Sequence, residues 1–191
     1  MDSGSALRTA RAARGKTQRQ LAADVGTHQP HIAAIESGAH DTTVSGLERH
    51  LQALLYRLTV LPTRRRPAWE AALDVADHLS EADEASAFRE ILQLSDDLAQ
   101  SSADIRVALV VTPPAGTKDA RFDALLAGVV DYWLEDCSAP RPAWLDEPSR
   151  TLDVHWVVEP LPELRESARL ATPPSVLRHG VVLAEAELRS A

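Results

Sequence analysis

Three glycines, Gly15, Gly26 and Gly38, punctuate the first 54 residues, and between them apolar residues recur at spacings of three and four. A chain so divided reads as short helices, each stopped by a residue free to turn left-handed. Leu7, Ala10 and Ala13/Arg14 mark the first helix. Thr17 stands where an N-cap is wanted and Gln20 completes a capping box, so Gln18 to Val25 is expected as a second helix with Leu21 and Ala22 inward. Thr27 is expected to cap a third, whose inner face is Ile32 and Ile35. Pro30, as its third helical residue, still lies in the first turn, where a missing N–H costs little. Val44, Leu47, Leu51 and Leu54 form the stripe of a fourth.

Two helices joined by a tight glycine-containing turn are a helix-turn-helix. The run Leu7-Arg8-x-x-Arg11-x-x-Arg14-Gly15-x-Thr17-Gln18-x-x-Leu21-Ala22-x-x-Val25-Gly26-Thr27, continued by Ile32-x-x-Ile35-Glu36-x-Gly38, resembles the Cro/repressor family, also called the XRE family. The resemblance covers about 50 residues. It implies a repressor-like domain of four to five helices that binds double-stranded DNA. It further implies that Gln18 touches a phosphate, that His28, Gln29, Pro30, His31 and Ala34 face the major groove, and that Arg11 and Glu36 form a structural ion pair.

The chemistry of these side chains suits that assignment. Gln29 offers a donor and an acceptor together, which fits the N6/N7 edge of adenine. His28 and His31 can donate to phosphate or guanine, while Pro30 and Ala34 offer apolar contact. Lys16, Thr17 and Arg19 belong to the same DNA-facing set, and Lys16, Arg19 and Arg49 supply attraction to the backbone. Two blander readings compete: a helical interaction module whose surface happens to be basic, and a metal site at His28, His31 and His40. The distance to the single cysteine, Cys137, and the frequency of His as a phosphate partner disfavour the second, so neither metal nor cofactor is expected.

Charge divides the chain as well. Residues 1–66 hold ten Lys/Arg and five Asp/Glu, giving +5, whereas residues 67–191 hold ten and 23, giving −13. The net −8 is therefore a sum over two modules with different partners. One cysteine excludes an intramolecular disulfide and, with no apolar leader and no spanning segment, a cytoplasmic protein is expected.

After the fourth helix the period becomes two: Tyr56, Leu58 and Val60 alternate with Arg57, Thr59 and Leu61 until Pro62. A lone strand must pair elsewhere, with the acidic part or with its own copy. In this respect the sequence resembles HipB-type antitoxins, whose strand pairs across a two-fold axis. That resemblance implies a homodimer on a palindromic operator. The expected organisation is a DNA-binding domain at 1–55, a dimerising strand at 56–62, a basic linker at 63–67 and an acidic, mostly helical partner-binding domain at 68–191.

In that last domain, helices are expected around Trp69, Leu73 and Ala76, around Phe88, Ile91, Leu92 and Leu98, from Ala120 to Leu134 with Phe122, Leu125, Leu126, Val129 and Trp133 on one face, and over Leu161 to Leu170. Ile105 to Val111 is ambiguous: β-branched content favours strand, Ser101-x-x-Asp104 favours a helix start, and helix is the preferred reading. Thr112-Pro113-Pro114-Ala115-Gly116 is a break, and Pro140, Pro142 and Pro148 surround Trp144 in an ordered loop. A short strand is expected within Val154 to Val158. The whole is mainly α.

Chemistry is sparse there. His155 reads as packed or hydrogen-bonded, and Asp131, Glu135 and Asp136 read as a solvated face; no nucleophile-base pair or phosphate-binding glycine loop accompanies them, so no enzyme is expected. The stretch Pro113 to Gly128, the Pro142-Ala143-Trp144 turn and Thr172 to Gly180 resemble a C-terminal region of actinobacterial XRE regulators, themselves similar to antitoxins paired with nucleotidyltransferase-like toxins. That implies a cognate toxin as partner, its basic cleft covered by the acidic domain. The competing reading is a one-component regulator whose acidic domain binds a small molecule, and a closed apolar pocket lined by Trp133, Trp144 or Trp156 would favour it.

Overall fold

Leu7, Leu21, Ile32, Ile35, Leu47, Leu51 and Leu54 close into one apolar core, and with them four helices: α1 (Ser3–Ala13), α2 (Gln18–Asp24), α3 (Gln29–Glu36) and α4 (Val44–Ala53). The computed structural model describes residues 3–189. Each of these large side chains contributes roughly 1.5–3 kcal/mol by leaving water. Gly15, Gly26 and Gly38 take φ of +61, +70 and +73°, the left-handed turn after a helix that a Cβ would strain.

The caps differ in one place from the expected ones. Thr17 accepts from the Gln20 amide at 3.2 Å while the Gln20 side chain accepts from the Thr17 amide at 2.8 Å, a complete capping box. Thr43 caps α4 through the Gly46 amide. Thr27, however, is not the cap of α3: His28 occupies that position without a side-chain bond, and Pro30 is the second helical residue. A proline disfavours helical geometry in the residues before it, so α3 opens as close to Pro30 as it can. Val44, placed on the buried stripe by its spacing, is 70% exposed because it is the first residue of α4.

Beyond α4 the chain turns at Leu55 (φ +61°), and residues 56–62 carry no regular secondary structure in the single chain. Tyr56 is held by its amide bond to the Leu51 carbonyl and by the Arg14 guanidinium over its ring at 5.2 Å. Leu58 and Val60 are exposed, at 43% and 92%. The first unit comprises the chain through Pro62 together with Thr112–Ala115.

The second unit comprises Thr63–Val111 and the chain from Gly116 onward. Residues 63–67, expected as a basic linker, are already part of it. Arg65 pairs with Asp97 at 3.2 Å, and Arg66 with Asp74 at 2.5 Å and Glu90 at 2.8 Å. Acidic neighbours thus absorb two of the three cations. Helices α5 (Ala68–Ser80) and α6 (Glu84–Ala99) pack side by side, and Asp83 caps α6 at the Ser86 amide. The ambiguous segment is helix α7 (Ala103–Val110). Arg106 explains the outcome. From α7 its guanidinium reaches the carbonyls of Leu98, Ala99 and Ser101, which end α6, and that of Trp133, stacking on the Trp133 ring at 5.0 Å.

Helix α8 (Ala120–Asp136) is the centre of this unit and is buried without interruption from Phe122 to Leu134. One apolar face was expected; a helix enclosed all round is observed, because α5, α6 and α7 cover part of it and α10 (Pro174–Arg178) another part. Gly128 allows the approach of α10: a Cβ there would stand 3.3 Å from the Val176 Cα. Strands β1 (Trp156–Val157) and β2 (Val181–Val182) form a two-residue parallel ladder, Trp156 opposite Val181. Helices α9 (Arg165–Leu170) and α11 (Glu185–Leu188) complete the chain, which is mainly α as its periodicity predicts.

Candidate nucleic-acid interface

Helices α2 and α3 meet through the Gly26 turn, and four side chains form a hydrogen-bonded line from the core to the surface. Arg11 donates to both oxygens of Glu36, Nε to Oε1 at 2.6 Å and Nη2 to Oε2 at 2.7 Å. Gln18 Nε2 donates to Glu36 Oε2 at 3.0 Å, and Gln29 Nε2 donates to Gln18 Oε1 at 2.7 Å. Glu36 is buried, and its hydrogen bond holds the Arg11 guanidinium above its ordinary pKa despite partial burial. Arg8 also donates to the Glu36 carbonyl. This line brings the residues expected to read DNA to the outer end of a buried ion pair.

His28, Gln29 and Pro30 are exposed at the start of α3, with His31 and Ala34 half-buried behind them. Thr17 and Arg19 are exposed at the start of α2. Lys16 is half-buried and paired with Asp24 at 2.5 Å, so in the free chain its charge is partly neutralised. Arg49 is exposed on α4.

The histidines form a group larger than the sequence indicates. His31 lies with its ring centroid 6.0 Å from His28, 5.2 Å from His40 and 6.3 Å from His50. His50 is 1% exposed, and burial, with the nearby Arg49 and His31 charges, pushes its pKa below the usual histidine value although the Gly46 backbone opposes this. Among the described residues no set of three His, Cys, Asp or Glu side chains is arranged to hold a metal ion. His50 shares the stripe position of Leu47, Leu51 and Leu54 at helical spacing, which is the signal that could have placed it inside.

In the second unit, two side chains read as structurally plain lie elsewhere than expected. Asp131 is not part of a solvated face. It is fully buried and accepts from Arg141 at 2.6 Å and Arg178 at 2.5 Å, with His179 Nε2 at 3.2 Å. Asp136 is tied to Arg106 and Arg189, at 2.8 and 2.9 Å. His155 is exposed rather than packed, and the imidazole beside Asp131 belongs to the buried His179. Trp133 and Trp144 are core residues whose indoles donate to Ser95 Oγ and the Val110 carbonyl. Trp156 instead lines an open cavity of about 510 Å³ with Phe88 and Phe122.

A family model described as helix-turn-helix matches residues 7–54, about a quarter of the chain. No curated protein and no solved structure matches. The matched stretch begins and ends on the first and last large residues of the first core, Leu7 and Leu54. No described helix is long and apolar enough to cross a membrane. Residues 7–54 are a helix-turn-helix of the XRE type, the DNA-binding module of a transcriptional regulator.

Proposed function

We propose that the chain is a sequence-specific repressor that binds a palindromic double-stranded operator as a homodimer and, in a toxin-antitoxin pair, neutralises a cognate toxin through its acidic second unit in the cytoplasm. The observation that carries the DNA-reading part is the exposed start of α3, where Gln29 is held by Gln18 and through it by Glu36. A positioned amide is what bidentate base reading requires. On an operator selected from random duplexes, Gln29→Ala is expected to cost about 1–3 kcal/mol and to relax one base position, whereas Arg19→Ala weakens all sequences alike and lowers the salt slope by roughly one. Equal losses on operator and random DNA for Gln29→Ala would count against the groove contact.

Dimerisation is supported by the exposed Leu58 and Val60 in a segment whose backbone forms no ladder among the described residues. Leu58→Pro is expected to give monomers in sedimentation and to reduce palindrome affinity by more than tenfold, since both half-sites must be held together. A dimer with unchanged affinity would place the interface elsewhere.

Support for a toxin partner comes from the −13 charge of residues 67–191, suited to a basic surface. Co-purification with the neighbouring gene product and rescue of growth are the expected results; neither complex nor rescue would leave the DNA reading without the antitoxin one. A second reading, regulation by a small effector, draws on the Trp156 cavity, which is open and bordered by carboxylates where a closed apolar pocket was expected.

A further inference from the structure

Four of the seven histidines of the chain fall within residues 28–50, and the fold gathers their rings around His31, in the first turn of α3. His40 meets that ring edge-on at 5.2 Å, with His28 at 6.0 Å and His50 at 6.3 Å. His28 and His40 are exposed, His31 is half-buried and His50 is enclosed. Gln29, the amide assigned to base reading, stands next to His28 in the chain, so the group borders the surface that meets DNA. Imidazole is the side chain whose charge changes across the ordinary pH range.

The carboxylates around this group are committed elsewhere or stand apart from it. Asp24 of α2 pairs with Lys16 at 2.5 Å, and Glu36 of α3 pairs with Arg11 at 2.6 Å. Asp41, beside His40 in the loop, and Glu48 of α4 are the other acids on these elements, and among the described residues neither lies within ion-pair distance of any of the four imidazoles. The cations of α1, Arg8, Arg11 and Arg14, are turned to Glu36 and the Leu54 carbonyl, whereas Arg19 of α2 and Arg49 of α4 are exposed. Burial holds His50 toward its neutral form, which leaves charge to the outer three rings. Imidazoliums at these distances repel one another, so charging them is unfavourable until an anion stands against them. A duplex supplies roughly one negative charge per 1.7 Å of its axis.

We propose that His28, His31 and His40 form a binding site for a phosphodiester of the DNA backbone and become charged as the duplex docks, so that DNA association takes up protons. The inference rests on the reading that sets the start of α3 against the duplex, and on neither the dimer nor the toxin.

Titration calorimetry of the full chain at about pH 6.5, in cacodylate and in Bis-Tris at equal ionic strength, counts the protons taken up, because the two buffers differ in ionisation enthalpy. Uptake of about one proton or more per chain is expected on the selected operator and on random duplex alike, since every sequence carries the same phosphates. Affinity should accordingly rise about tenfold from roughly pH 7.5 to pH 6. A phosphate favours imidazolium, so the gain is complete at low pH and is lost as pH rises through the value raised in the complex. Protonation of the buried His50 acts in the opposite sense, weakening the fold as pH falls, and cannot produce this gain. The double variant His28→Gln, His40→Gln keeps polar amides at two exposed positions. With helix content unchanged by circular dichroism, it is expected to lose most of the uptake and of the rise, while its affinity near pH 8 stays within about threefold of the unsubstituted protein. His155→Gln, at an exposed ring of the second unit, is expected to leave the uptake unchanged. No proton uptake, uptake confined to the operator, or full uptake in the double variant would overturn the inference. Failure to select any operator would instead remove sequence-specific repression, which uptake on random duplex does not require.

Discussion

Arg11→Ala is expected to destabilise the first unit by about 3–5 kcal/mol, because it leaves a buried carboxylate without its cation. The Glu36 side chain is 2% exposed and would keep only the Gln18 amide as a side-chain donor. A unit of this size has a total stability on the order of 3–9 kcal/mol, so the variant should be largely unfolded there at moderate temperature. All four tryptophans belong to the second unit. The expected signature is therefore an early loss of helix by circular dichroism, before any change in tryptophan emission, together with loss of operator binding. Melts that overlay the unsubstituted protein would show that Glu36 is not dependent on Arg11. Replacing the pair together, Arg11→Met with Glu36→Leu, should restore most of the stability, since no charge is then left buried.

Asp131→Ala is expected to cost the second unit about 3 kcal/mol, leaving the buried His179 and the Arg178 guanidinium without their carboxylate and Arg141 with only the exposed Asp146. Arg178→Ala provides the comparison: its side chain is 46% exposed, so its loss should cost about 1 kcal/mol or less. The pH dependence follows from the direction of the shift. Burial pushes the Asp131 carboxyl up, but the His179 hydrogen bond and then Arg141 and Arg178 outweigh it, and the folded pKa lies below the ordinary one. Its contribution is complete above an ordinary carboxylate pKa of about 3.9 and is lost as pH falls through the lower folded value. Urea midpoints read by tryptophan emission should fall below about pH 4 in the unsubstituted protein, and less steeply in Asp131→Ala. A midpoint for Asp131→Ala no lower than that of Arg178→Ala would refute the role given to this carboxylate.

The contrast between these two sites shows what is legible in a sequence. Arg11 and Glu36 are 25 residues apart, yet the spacing of Leu7, Leu21, Ile32 and Ile35 sets the helices that bring them together, and the family resemblance names them. Asp131 lies near Glu135 and Asp136 in an acidic chain, and its partners are 10, 47 and 48 residues away on segments without a shared motif. Local pattern therefore places it in solvent. Periodicity likewise assigns one apolar face to α8, since it cannot register that Gly128 admits a second layer of packing. Helix ends follow the same division. Glycine marks them after α1, α2 and α3, whereas Leu55, Ala82 and Ser138 take the left-handed turn after α4, α5 and α8 at φ +61, +59 and +52° without any residue that announces it.

The line from Arg11 to Gln29 also has a polarity. A carboxylate only accepts, so the end of the Gln18 amide that faces Glu36 must be its NH₂, and the end that faces Gln29 must be its oxygen. That in turn fixes which end of Gln29 is turned inward: its nitrogen is engaged with Gln18, and its oxygen and one remaining N–H are not used by that bond. Glu36 thereby determines the order of donor and acceptor at the outermost amide, two side chains from its own position. A neutral amide at 36 could present either end, and both glutamines could then reverse together. Under the proposed base contact, the choice between one base edge and its mirror arrangement is set by a charge buried beneath the reading amide.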